Sequence, residues 1–575
     1  MKNLEIARIF NDVADLLEIK DENPFRIRAY RKAAQNIESL TESIEDIAKR
    51  GELTKIPGIG KDLAQKIVEI IEKGTFEDYE KLKREIPRGL VQMLSIPSLG
   101  PKTAKLIYES LGIKTIEELE EAAKNHRLCK LPGIREKTED NIRKGIELYK
   151  KGRERMPLGK VLPIAREFEK ALLSLKEVKR LNIAGSLRRM KETIKDVDIL
   201  IISYDPKEIM EFFVSLPYVS DVLAKGSTKS SILTHDGLQV DLRVVEPESF
   251  GAALQYFTGS KNHNIHLRQI ADKLGLKISE YGVFDEKTGK KIAGKEEEDV
   301  YRTLGLEWIP PELREDMGEI EAAAEGKLPD LVELSDIRGD LHVHSKWSDG
   351  AHDIEEIARY AEKKGYEYVA ITDHTKSLGI ARGMGSEEVL EQIKEIDRIN
   401  RKSKVRILKG IEVDILGDGG LDLPDEVLKR LDIVIASIHY GFKAGKDVLT
   451  KRILNAMSNP YVNIIAHPTG RLIGEREAYE VDFDIIMNEA RKRNVCLEIN
   501  AYPLRMDLND ILSKKAKELG VKLCINTDAH TLSQMELMEF GLAMARRGWL
   551  TKDDVINTLP LNELLKRISK RENKI

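Results

Sequence analysis

Two sets of side chains in this sequence have the types and spacing needed for phosphate chemistry. The first set contains Asp196 and Asp198, two positions apart in an apolar run, and Asp241 in a second apolar run. Alternate residues of a β-strand point to one face of the sheet, so the first two carboxylates should converge. Three buried carboxylates are costly unless cations neutralise them, which favours a site for two divalent ions over an exposed acidic strand. Gly185 and Ser186, just upstream, would let a phosphate approach these ions.

The second set consists of imidazoles and carboxylates in the last third of the chain. Six of the eleven histidines belong to it, and its members fall at or just beyond the ends of short apolar runs. The set comprises His342, His344, Asp349, His374, Glu412, His439, His467, Asp528 and His530. A single histidine in such a run is more often a core residue, but six in the same register favour a shared metal centre. Imidazole with carboxylate suits Mn²⁺, Zn²⁺ or Fe²⁺, and the sequence does not choose among them.

A third pattern is a repeated turn in the first 150 residues. Segments 55–67, 95–107 and 130–142 share a Pro- and Gly-containing turn that leads into a helix. The turn resembles the helix-hairpin-helix motif, whose backbone N–H groups hold a DNA phosphate without reading bases. Arg135 replaces the last glycine of the turn in the third copy, and ordinary helix–helix turns are the alternative. The residues expected at the DNA backbone are Gly58, Gly60, Leu99, Gly100 and Gly133.

Three kinds of secondary structure must position these side chains. The first 150 residues show apolar residues at helical spacing and no clear strand signal. From about residue 151, short β-branched runs are separated by helical segments. After residue 336, seven apolar runs alternate regularly with helical patterns, which predicts parallel βα units that could close into a barrel. The second set of side chains would then meet at the carboxyl-terminal rim of that barrel.

The composition limits the classes of protein to which this chain can belong. Its 575 residues suit two to four domains, and 41% hydrophobic with 33% charged residues argues against disorder. No apolar run approaches the roughly 20 residues of a membrane helix, and the acid-containing N-terminus is unlike a signal peptide. The three cysteines are too few and too distant for a disulfide framework. We therefore expect a cytoplasmic protein without membrane association, whose net charge of −4 requires any DNA binding to use local patches.

The segment ALQYFTGSKNHNIHLRQIA at 253–271 narrows the assignment. Together with AGSLRR at 184–189 and the repeated turns, it resembles the family X DNA polymerases over residues 1 to about 315. The resemblance implies that Asp196, Asp198 and Asp241 bind two Mg²⁺ ions. It also implies contacts with the triphosphate (Gly185, Ser186, Arg189), the sugar (Tyr256, Phe257, Gly259), the incoming base (Asn264) and the templating base (Arg268).

The second set of side chains resembles the ligands of the PHP (polymerase and histidinol phosphatase) domain, a distorted seven-stranded barrel with up to three metal ions. All nine ligand positions are filled, so the resemblance implies hydrolysis of phosphoesters. It suggests three sites, formed by His342, His344, Glu412 and Asp528, by Glu412, His439 and His467, and by Asp349, His374 and His530. In this arrangement Glu412 bridges two ions.

Family X polymerases also carry a 5′-deoxyribose-phosphate lyase near the N-terminus. Lys66 occupies the position of the Schiff-base lysine, and Tyr30 occupies that of a site tyrosine. The chain departs from the better-known lyases at Phe25 and Asp62, which replace a phosphate-site histidine and lysine. A lyase and a surface lysine without a catalytic role therefore both remain open.

The resemblances imply a multidomain α+β and α/β protein with a helical helix-hairpin-helix region, a nucleotidyltransferase palm with a thumb, and a C-terminal distorted (β/α)7 PHP barrel. The expected parts are a lyase-like domain at 1–80, a DNA-binding subdomain at 81–150, the palm at 151–255, the thumb at 256–315, a linker at 316–335 and the PHP domain at 336–575.

These resemblances predict a DNA-directed DNA polymerase that fills short gaps in DNA repair, including base excision repair. Its substrates would be deoxynucleoside triphosphates and gapped or primer-template DNA, and we expect a monomer. The PHP domain would act as a 3′-5′ exonuclease, an abasic-site endonuclease or a 3′-phosphatase. One alternative is a nucleotidyltransferase fused to a small-molecule phosphatase, against which the repeated turns and the YFTGS segment argue. The other is a non-catalytic DNA-binding scaffold, against which both filled ligand sets argue.

Overall fold

The structure, a computed structural model, describes residues 2–20, 22–38, 44–56, 58–86, 88–93, 96, 99–151 and 155–569. Its main parts are a helical region, a five-stranded mixed sheet, a three-stranded antiparallel sheet and a seven-stranded parallel barrel. In these described ranges, no helix is long and apolar enough to cross a membrane.

The part of the chain before residue 152 is helical, as its apolar spacing predicts. Ile6, Phe10 and Val13 recur at helical spacing in the first helix and are fully buried. The helices are α1 (Lys2–Ile19), α2 (Pro24–Glu38), α3 (Ile44–Lys49), α4 (Lys61–Lys73), α5 (Glu77–Glu85), α6 (Arg88–Met93), α7 (Pro101–Leu111), α8 (Ile116–Lys124) and α9 (Glu136–Lys151). One hydrophobic core joins α1–α5 and includes Leu90 of α6, and a second joins α7–α9 and includes Met93 of α6, so the repeated turns lie on two adjoining cores.

The mixed sheet follows the helical region. The elements of this part of the chain are β1 (Met156–Pro157), α10 (Leu158–Leu173), β2 (Val178–Ile183), α11 (Gly185–Arg188), β3 (Thr193–Ile194), β4 (Asp196–Ser203), α12 (Pro206–Ser215), β5 (Val219–Lys225), β6 (Lys229–Thr234), β7 (Gln239–Val244) and α13 (Phe250–Thr258). β1 and β3 pair with each other in a separate two-stranded sheet. The strand order is β2-β4-β7-β6-β5, and only β4 and β7 run parallel. Val197, Ile199 and Ile201 of β4 belong to the core that includes α10 and α12. Because side chains alternate along a strand, Asp196 and Asp198 lie on the other face.

A small antiparallel sheet and three helices form the next part. Its elements are α14 (Lys261–Lys273), β8 (Leu276–Ser279), β9 (Gly282–Asp285), β10 (Lys291–Ala293), α15 (Glu297–Thr303) and α16 (Glu319–Ala324). The stretch 316–335, for which we predicted a linker, contains α16 and packs against α14. Glu319 Oε1 lies 2.7 Å from His263 Nδ1, and both side chains are fully buried. This stretch is thus folded onto the small sheet.

The C-terminal part forms the barrel. Its elements are β11 (Gly339–Val343), α17 (Ile354–Lys363), β12 (Tyr368–Ile371), α18 (Ser386–Asn400), β13 (Arg406–Asp414), α19 (Asp425–Leu428), β14 (Ile433–Ser437), α20 (Lys446–Ser458), β15 (Ile464–Ile465), α21 (Phe483–Arg493), β16 (Cys496–Asn500), α22 (Asp510–Glu518), β17 (Leu523–Asn526), α23 (Met538–Arg547) and α24 (Leu561–Ile568). The seven strands are parallel and adjacent in chain order, and a bridge between Val343 and Ala529 joins the first strand to the last. The predicted βα barrel is confirmed.

Candidate active centres

The three palm carboxylates converge on one face of the mixed sheet. In the parallel pairing of β4 with β7, Asp198 lies opposite Asp241 and Asp196 lies opposite Gln239. Gln239 Nε2 donates a hydrogen bond to Asp241 Oδ1 at 2.9 Å. The second apolar run that carries Asp241 is thus the strand next to β4, and the register identifies Asp241 as the residue that faces Asp198.

Burial makes this group of acids unfavourable in the absence of cations. Desolvation and the nearby charge of Asp241 raise the pKa of Asp198 to about 7. Desolvation and Asp241 also raise the pKa of Asp196. These carboxyl groups therefore repel one another and would be stabilised by divalent cations, for which carboxylate oxygens are suitable ligands.

Gly185 brings the chain next to these acids. Its φ is +66°, and a Cβ atom at this position would lie 2.8 Å from Asp198 Oδ2. Only glycine combines that backbone conformation with such a close approach. Ser186 follows in α11 and is half-buried. The short turn thus places backbone N–H groups and a hydroxyl beside the carboxylates.

Arg189 lies between the palm and the segment after α13. Its Nη1 donates to the carbonyl of Thr258, and its Nε donates to Glu315 Oε1 at 3.1 Å. A Cβ atom on Gly259 would lie 3.3 Å from Arg189 Nη1, so these two residues are neighbours. Desolvation lowers the pKa of Arg189 from its ordinary value. The guanidinium is therefore a half-buried cation whose Nε and Nη1 are held in place by oxygen acceptors of the protein.

The remaining predicted nucleotide contacts lie on α13 and α14. Tyr256 and Phe257 form an edge-to-face pair with ring centroids 5.1 Å apart. Asn264 Nδ2 donates to the carbonyl of Tyr256 at 2.8 Å, and Gln255 Nε2 donates to Asn264 Oδ1 at 2.8 Å. Arg268 follows Asn264 one helical turn along α14. The structure therefore brings the predicted sugar and base contacts together at one helix junction.

The nine predicted barrel ligands gather at one rim of the barrel. His342 and Glu412 lie on β11 and β13, and the other histidines and Asp528 follow strand ends. Three groups have ligand atoms within 4.8 Å of one another: His344, Asp349, His374 and His530; His342, His344 and Glu412; and His374, Glu412 and His439. The division differs from that suggested by the resemblance, because His344 and His374 each belong to two groups.

Glu412 is the centre of this arrangement. Its Oε1 lies 3.1 Å from His467 Nε2 and 3.3 Å from His439 Nε2, whereas its Oε2 lies 2.7 Å from His374 Nδ1. Asp528 Oδ1 lies 3.0 Å from His344 Nε2. Burial alone would raise the pKa of Glu412, but the surrounding imidazoles hold that pKa well below its ordinary value. A carboxylate whose Oε1 faces His439 and His467 and whose Oε2 faces His374 suits a bridging ligand.

Several polar atoms in this rim fit metal ligands better than hydrogen-bonding groups. Within the described part of the chain, five buried atoms of the set make no hydrogen bond: His342 Nε2, His344 Nδ1, His374 Nδ1, Glu412 Oε2 and His467 Nδ1. Unsatisfied buried polar groups are costly, so they require an explanation. Imidazole nitrogens and a carboxylate oxygen that converge without making hydrogen bonds are suitable ligands for divalent metal ions.

Sequence reasoning missed the carboxylates that hold these ligands from behind. Glu498 Oε1 lies 2.8 Å from His342 Nδ1, and Asp414 Oδ1 lies 2.8 Å from His439 Nδ1. Such contacts orient a metal-bound imidazole. Asp414 follows Glu412 by two residues in the same strand, which was a usable signal. Glu498, an acid within the buried strand CLEIN, was another.

The helix-hairpin-helix glycines occupy two kinds of position. Gly60 and Gly100 are the N-cap residues of α4 and α7, and a Cβ atom added to either glycine would meet no neighbouring atom within 4 Å. Gly58 and Gly133 have φ values of +78° and +85°, which form the turns themselves. Pro57 and the segments 94–95 and 97–98 of the repeated turns lie outside the described residues. Leu99 is only 4% exposed, so its side chain packs in the core, and only its backbone is available for DNA.

Lys66 and Tyr30 lie close together, but the surroundings of the lysine differ from those of an imine-forming site. Lys66 Nζ is 5.5 Å from the Tyr30 ring centroid, 2.8 Å from Asp62 Oδ2 and 3.6 Å from Asp78 Oδ2. Burial would lower the pKa of Lys66, but the interactions with Asp62 and Tyr30 together outweigh burial, and the pKa is raised. Phe25 is 75% exposed. A protonated lysine is a poor nucleophile, so this geometry does not favour the lyase.

Four family profiles match parts of the chain. They are described as "Helix-hairpin-helix domain" at 1–76, "SAM-like Helix-hairpin-helix tandem" at 91–147, "DNA polymerase beta thumb" at 253–315 and "PHP domain" at 340–501. Two probable phosphatases are similar to part of the chain. One, from Thermoanaerobacter, is 35% identical over 38% of this chain and 89% of that protein. The other, from Syntrophotalea carbinolica, is 29% identical over 38% of this chain and 90% of that protein.

The fold and these profiles define a polymerase of the beta-like class that carries a PHP domain. One similar protein matches nearly the whole chain: the DNA polymerase/3′-5′ exonuclease PolX of Bacillus subtilis is 42% identical over 98% of this chain and 99% of that protein. The chain therefore belongs to the PolX family of DNA polymerase/3′-5′ exonucleases. The predicted family, fold class and class of enzyme are confirmed.

Proposed function

We propose that this enzyme fills short gaps in DNA at the palm and removes nucleotides from DNA 3′ ends at the barrel. The pairing of Asp198 with Asp241 on parallel strands, with Asp196 on the same face, carries the first part of the proposal. The unpartnered imidazole and carboxylate atoms at the barrel rim support the second part. The hairpin turns on two adjoining helical cores, each of which could bind a DNA backbone, support gap filling.

At the palm, Asp196, Asp198 and Asp241 would hold two Mg²⁺ ions. When bound, these ions would neutralise the triphosphate and activate the primer 3′-hydroxyl. Gly185 lets the triphosphate approach, and Ser186 donates a hydrogen bond to it. The set that orients the nucleotide comprises Arg189 at the phosphates, Tyr256, Phe257 and Gly259 at the sugar, Asn264 at the incoming base and Arg268 at the templating base.

At the barrel, the nine rim residues would hold up to three Mn²⁺, Zn²⁺ or Fe²⁺ ions. When bound, these ions would lower the pKa of water and polarise the phosphoester. Glu412 keeps its charge because imidazoles surround it, so it would be a ligand that two of these ions could share. Glu498 and Asp414 would fix the rings of His342 and His439 in the orientation that binds metal.

A crossed assay tests whether the two centres are separate. We expect Asp198→Ala to lose primer extension with Mg²⁺ by several orders of magnitude, because charge neutralisation is the main catalytic term, and to keep hydrolysis of 3′ ends with Mn²⁺. His344→Ala and Glu412→Ala should show the reverse. Both activities are measured on all three purified variants with labelled gapped DNA. Loss of hydrolysis in Asp198→Ala, or its survival in Glu412→Ala, would contradict the assignment.

A second candidate activity of the barrel is removal of a phosphate group from a DNA 3′ end. The similarity of 38% of the chain to proteins named probable phosphatases favours it. Duplexes with a 3′-phosphate, a normal 3′ end or an abasic site, incubated with Mn²⁺ and each variant above, separate phosphatase, exonuclease and endonuclease activity. Release of phosphate without shortening of the strand would identify the phosphatase.

We also propose that the enzyme acts as a monomer in DNA repair in the cytoplasm, with gapped DNA and deoxynucleoside triphosphates as substrates. Two of the three cysteines are buried and all three are free, which suits a reducing compartment. The proposed divisions of the chain lie near residues 80, 150, 255 and 335, with the thumb at 256–315 extended by the folded stretch 316–335. The size of the protein in solution, measured by light scattering, tests the monomer.

A further inference from the structure

One buried arginine of the barrel contacts the proposed triphosphate-binding segment. Arg547 is the last residue of α23, and its side chain is 2% exposed. Its Nη1 donates to the backbone carbonyl of Arg189 at 2.8 Å and to Glu315 Oε1 at 3.1 Å. Its Nε and Nη2 donate to Asp510 Oδ2 at 2.9 Å and 2.6 Å. A single barrel side chain therefore joins α22 of the barrel to the palm.

Glu315 accepts hydrogen bonds from two guanidinium groups that belong to different parts of the chain. Arg189 Nε donates to Glu315 Oε1 at 3.1 Å, and the same oxygen accepts from Arg547. Lys191 Nζ lies 3.7 Å from that oxygen. Burial alone would raise the pKa of Glu315, but these cations hold the pKa below its ordinary value. Glu315 therefore stays charged and fixes the guanidinium of Arg189.

The neighbouring arginine holds the segment that carries Glu315. Arg546 Nε donates to Glu312 Oε1 at 2.7 Å, and its Nη1 donates to the carbonyl of Val332 at 3.1 Å. Residues 312–315 are thus fixed to the end of α23 by two adjacent side chains. Because charge-assisted hydrogen bonds between half-buried groups are strong, the position of Glu315 depends on the barrel.

We propose that Arg547 is a positioning residue for polymerisation. Arg547 holds the main chain of Arg189 directly and holds the guanidinium of Arg189 through Glu315. Both contacts keep Arg189 where it would bind the triphosphate. This inference rests on the nucleotide-binding role proposed above for Arg189. Arg547 touches neither substrate nor reacting atoms, so its loss should weaken nucleotide binding and spare the chemical step. The barrel thereby contributes to polymerisation independently of its own hydrolysis.

The test is single-nucleotide gap filling with Mg²⁺ by the full-length Arg547→Gln variant. We expect KM for the incoming nucleotide to rise roughly tenfold, the effect of losing about one charge-assisted hydrogen bond, with kcat changed by less than about twofold. Hydrolysis of 3′ ends should be unchanged. Arg166→Gln is the matched control, because Arg166 of α10 pairs at 2.7 Å with Glu539 on the same barrel helix. It should leave KM unchanged.

Further variants separate the possible failures. Asp510→Asn releases Arg547 from the barrel side without altering the palm, and it should raise KM in the same direction. This variant decides the question if Arg547→Gln does not fold. If Arg189→Gln raises KM but Arg547→Gln and Asp510→Asn do not, the role of Arg547 is overturned. If Arg189→Gln leaves KM unchanged, the proposed role of Arg189 is wrong. An equal fall in kcat and in 3′-end hydrolysis would show a merely structural residue.

Discussion

At the scale of single residues, carboxylates that lie behind the barrel histidines set the orientation of these histidines toward the rim. Glu498 is fully buried, and its pKa is kept below its ordinary value by His342, although burial would raise it. Its other oxygen accepts from the backbone N–H of His467 at 2.9 Å, so one side chain fixes two proposed ligands. The ligand set therefore depends on a residue that touches no metal in our proposal.

We expect Glu498→Gln to weaken metal binding at the barrel by about 10- to 100-fold, because an amide orients the His342 ring less firmly than the carboxylate does and raises its basicity less. Titration of 3′-end hydrolysis with Mn²⁺ measures the change. Glu536→Gln, which alters an exposed acid of the same domain, is the control. Unchanged Mn²⁺ dependence in Glu498→Gln would show that the contact with His342 is dispensable.

The raised pKa of Lys66 leads to a second expectation at this scale. Wild-type protein should form little borohydride-trapped adduct with 5′-deoxyribose-phosphate DNA at neutral pH, because Asp62 keeps Lys66 protonated. Asp62→Asn should increase trapping severalfold, and Lys66→Ala should remove whatever adduct forms. Efficient trapping by the wild-type protein through Lys66 would contradict this interpretation of the geometry.

At the scale of elements, the N-termini of α4 and α7 are the parts of the hairpins that could face a DNA phosphate. Gly60 and Gly100 have ordinary backbone angles, with φ of −83° and −80°, and open space around them. Gly58, in contrast, has a positive φ, and a Cβ atom there would lie 3.1 Å from Lys32 Cγ, so a change would also strain the fold. The two N-cap glycines therefore offer the cleaner test of binding.

We expect Gly60→Val and Gly100→Val each to weaken binding of gapped DNA, because a side chain would block approach of the phosphate to the helix N-terminus. Affinity should also fall with salt and vary little with base sequence. Fluorescence anisotropy measures both effects. Gly417→Val, at a barrel glycine with equally open surroundings, is the control. Unchanged affinity in both hairpin variants would make the turns purely structural.

At the scale of the whole molecule, a buried ion cluster joins the palm to the small antiparallel sheet. Glu297 is 3% exposed and accepts from Arg188 at 2.7 Å and 2.9 Å and from Arg314 at 2.6 Å. Burial would raise the pKa of Glu297, but the two guanidinium groups hold it far below the ordinary 4.5. The cluster therefore stabilises the fold at neutral pH. This stabilisation is fully present above the pKa of Glu297 in the unfolded chain, and it is lost progressively as the pH falls from that value toward the lower pKa of the folded state.

We expect Glu297→Gln to lower the free energy of unfolding by about 3–5 kcal/mol at neutral pH, because it leaves buried guanidinium groups unpaired. The loss should shrink as pH falls below the unfolded-state pKa of glutamate, since the stabilisation that the wild-type carboxylate provides is then progressively lost. Urea unfolding at several pH values measures it, with the exposed Glu298→Gln as control. A loss that does not depend on pH would contradict the electrostatic explanation.

Sequence alone determined the architecture of this protein because its signals are local and repeated. Seven apolar runs alternate with helices, and the candidate ligands stand at their ends, so parallel βα units and one shared rim followed from the packing rules of such units. Asp196 and Asp198 share a face because a strand has a period of two. Tertiary structure decided the rest: which residue faces Asp198, which histidines lie next to one another at the barrel rim, that 316–335 is folded, and that Leu99 is core. Those facts depend on distances between segments far apart in the chain. The contact of Arg547 with Arg189 spans 358 residues, and no local pattern encodes a contact between side chains so distant in sequence.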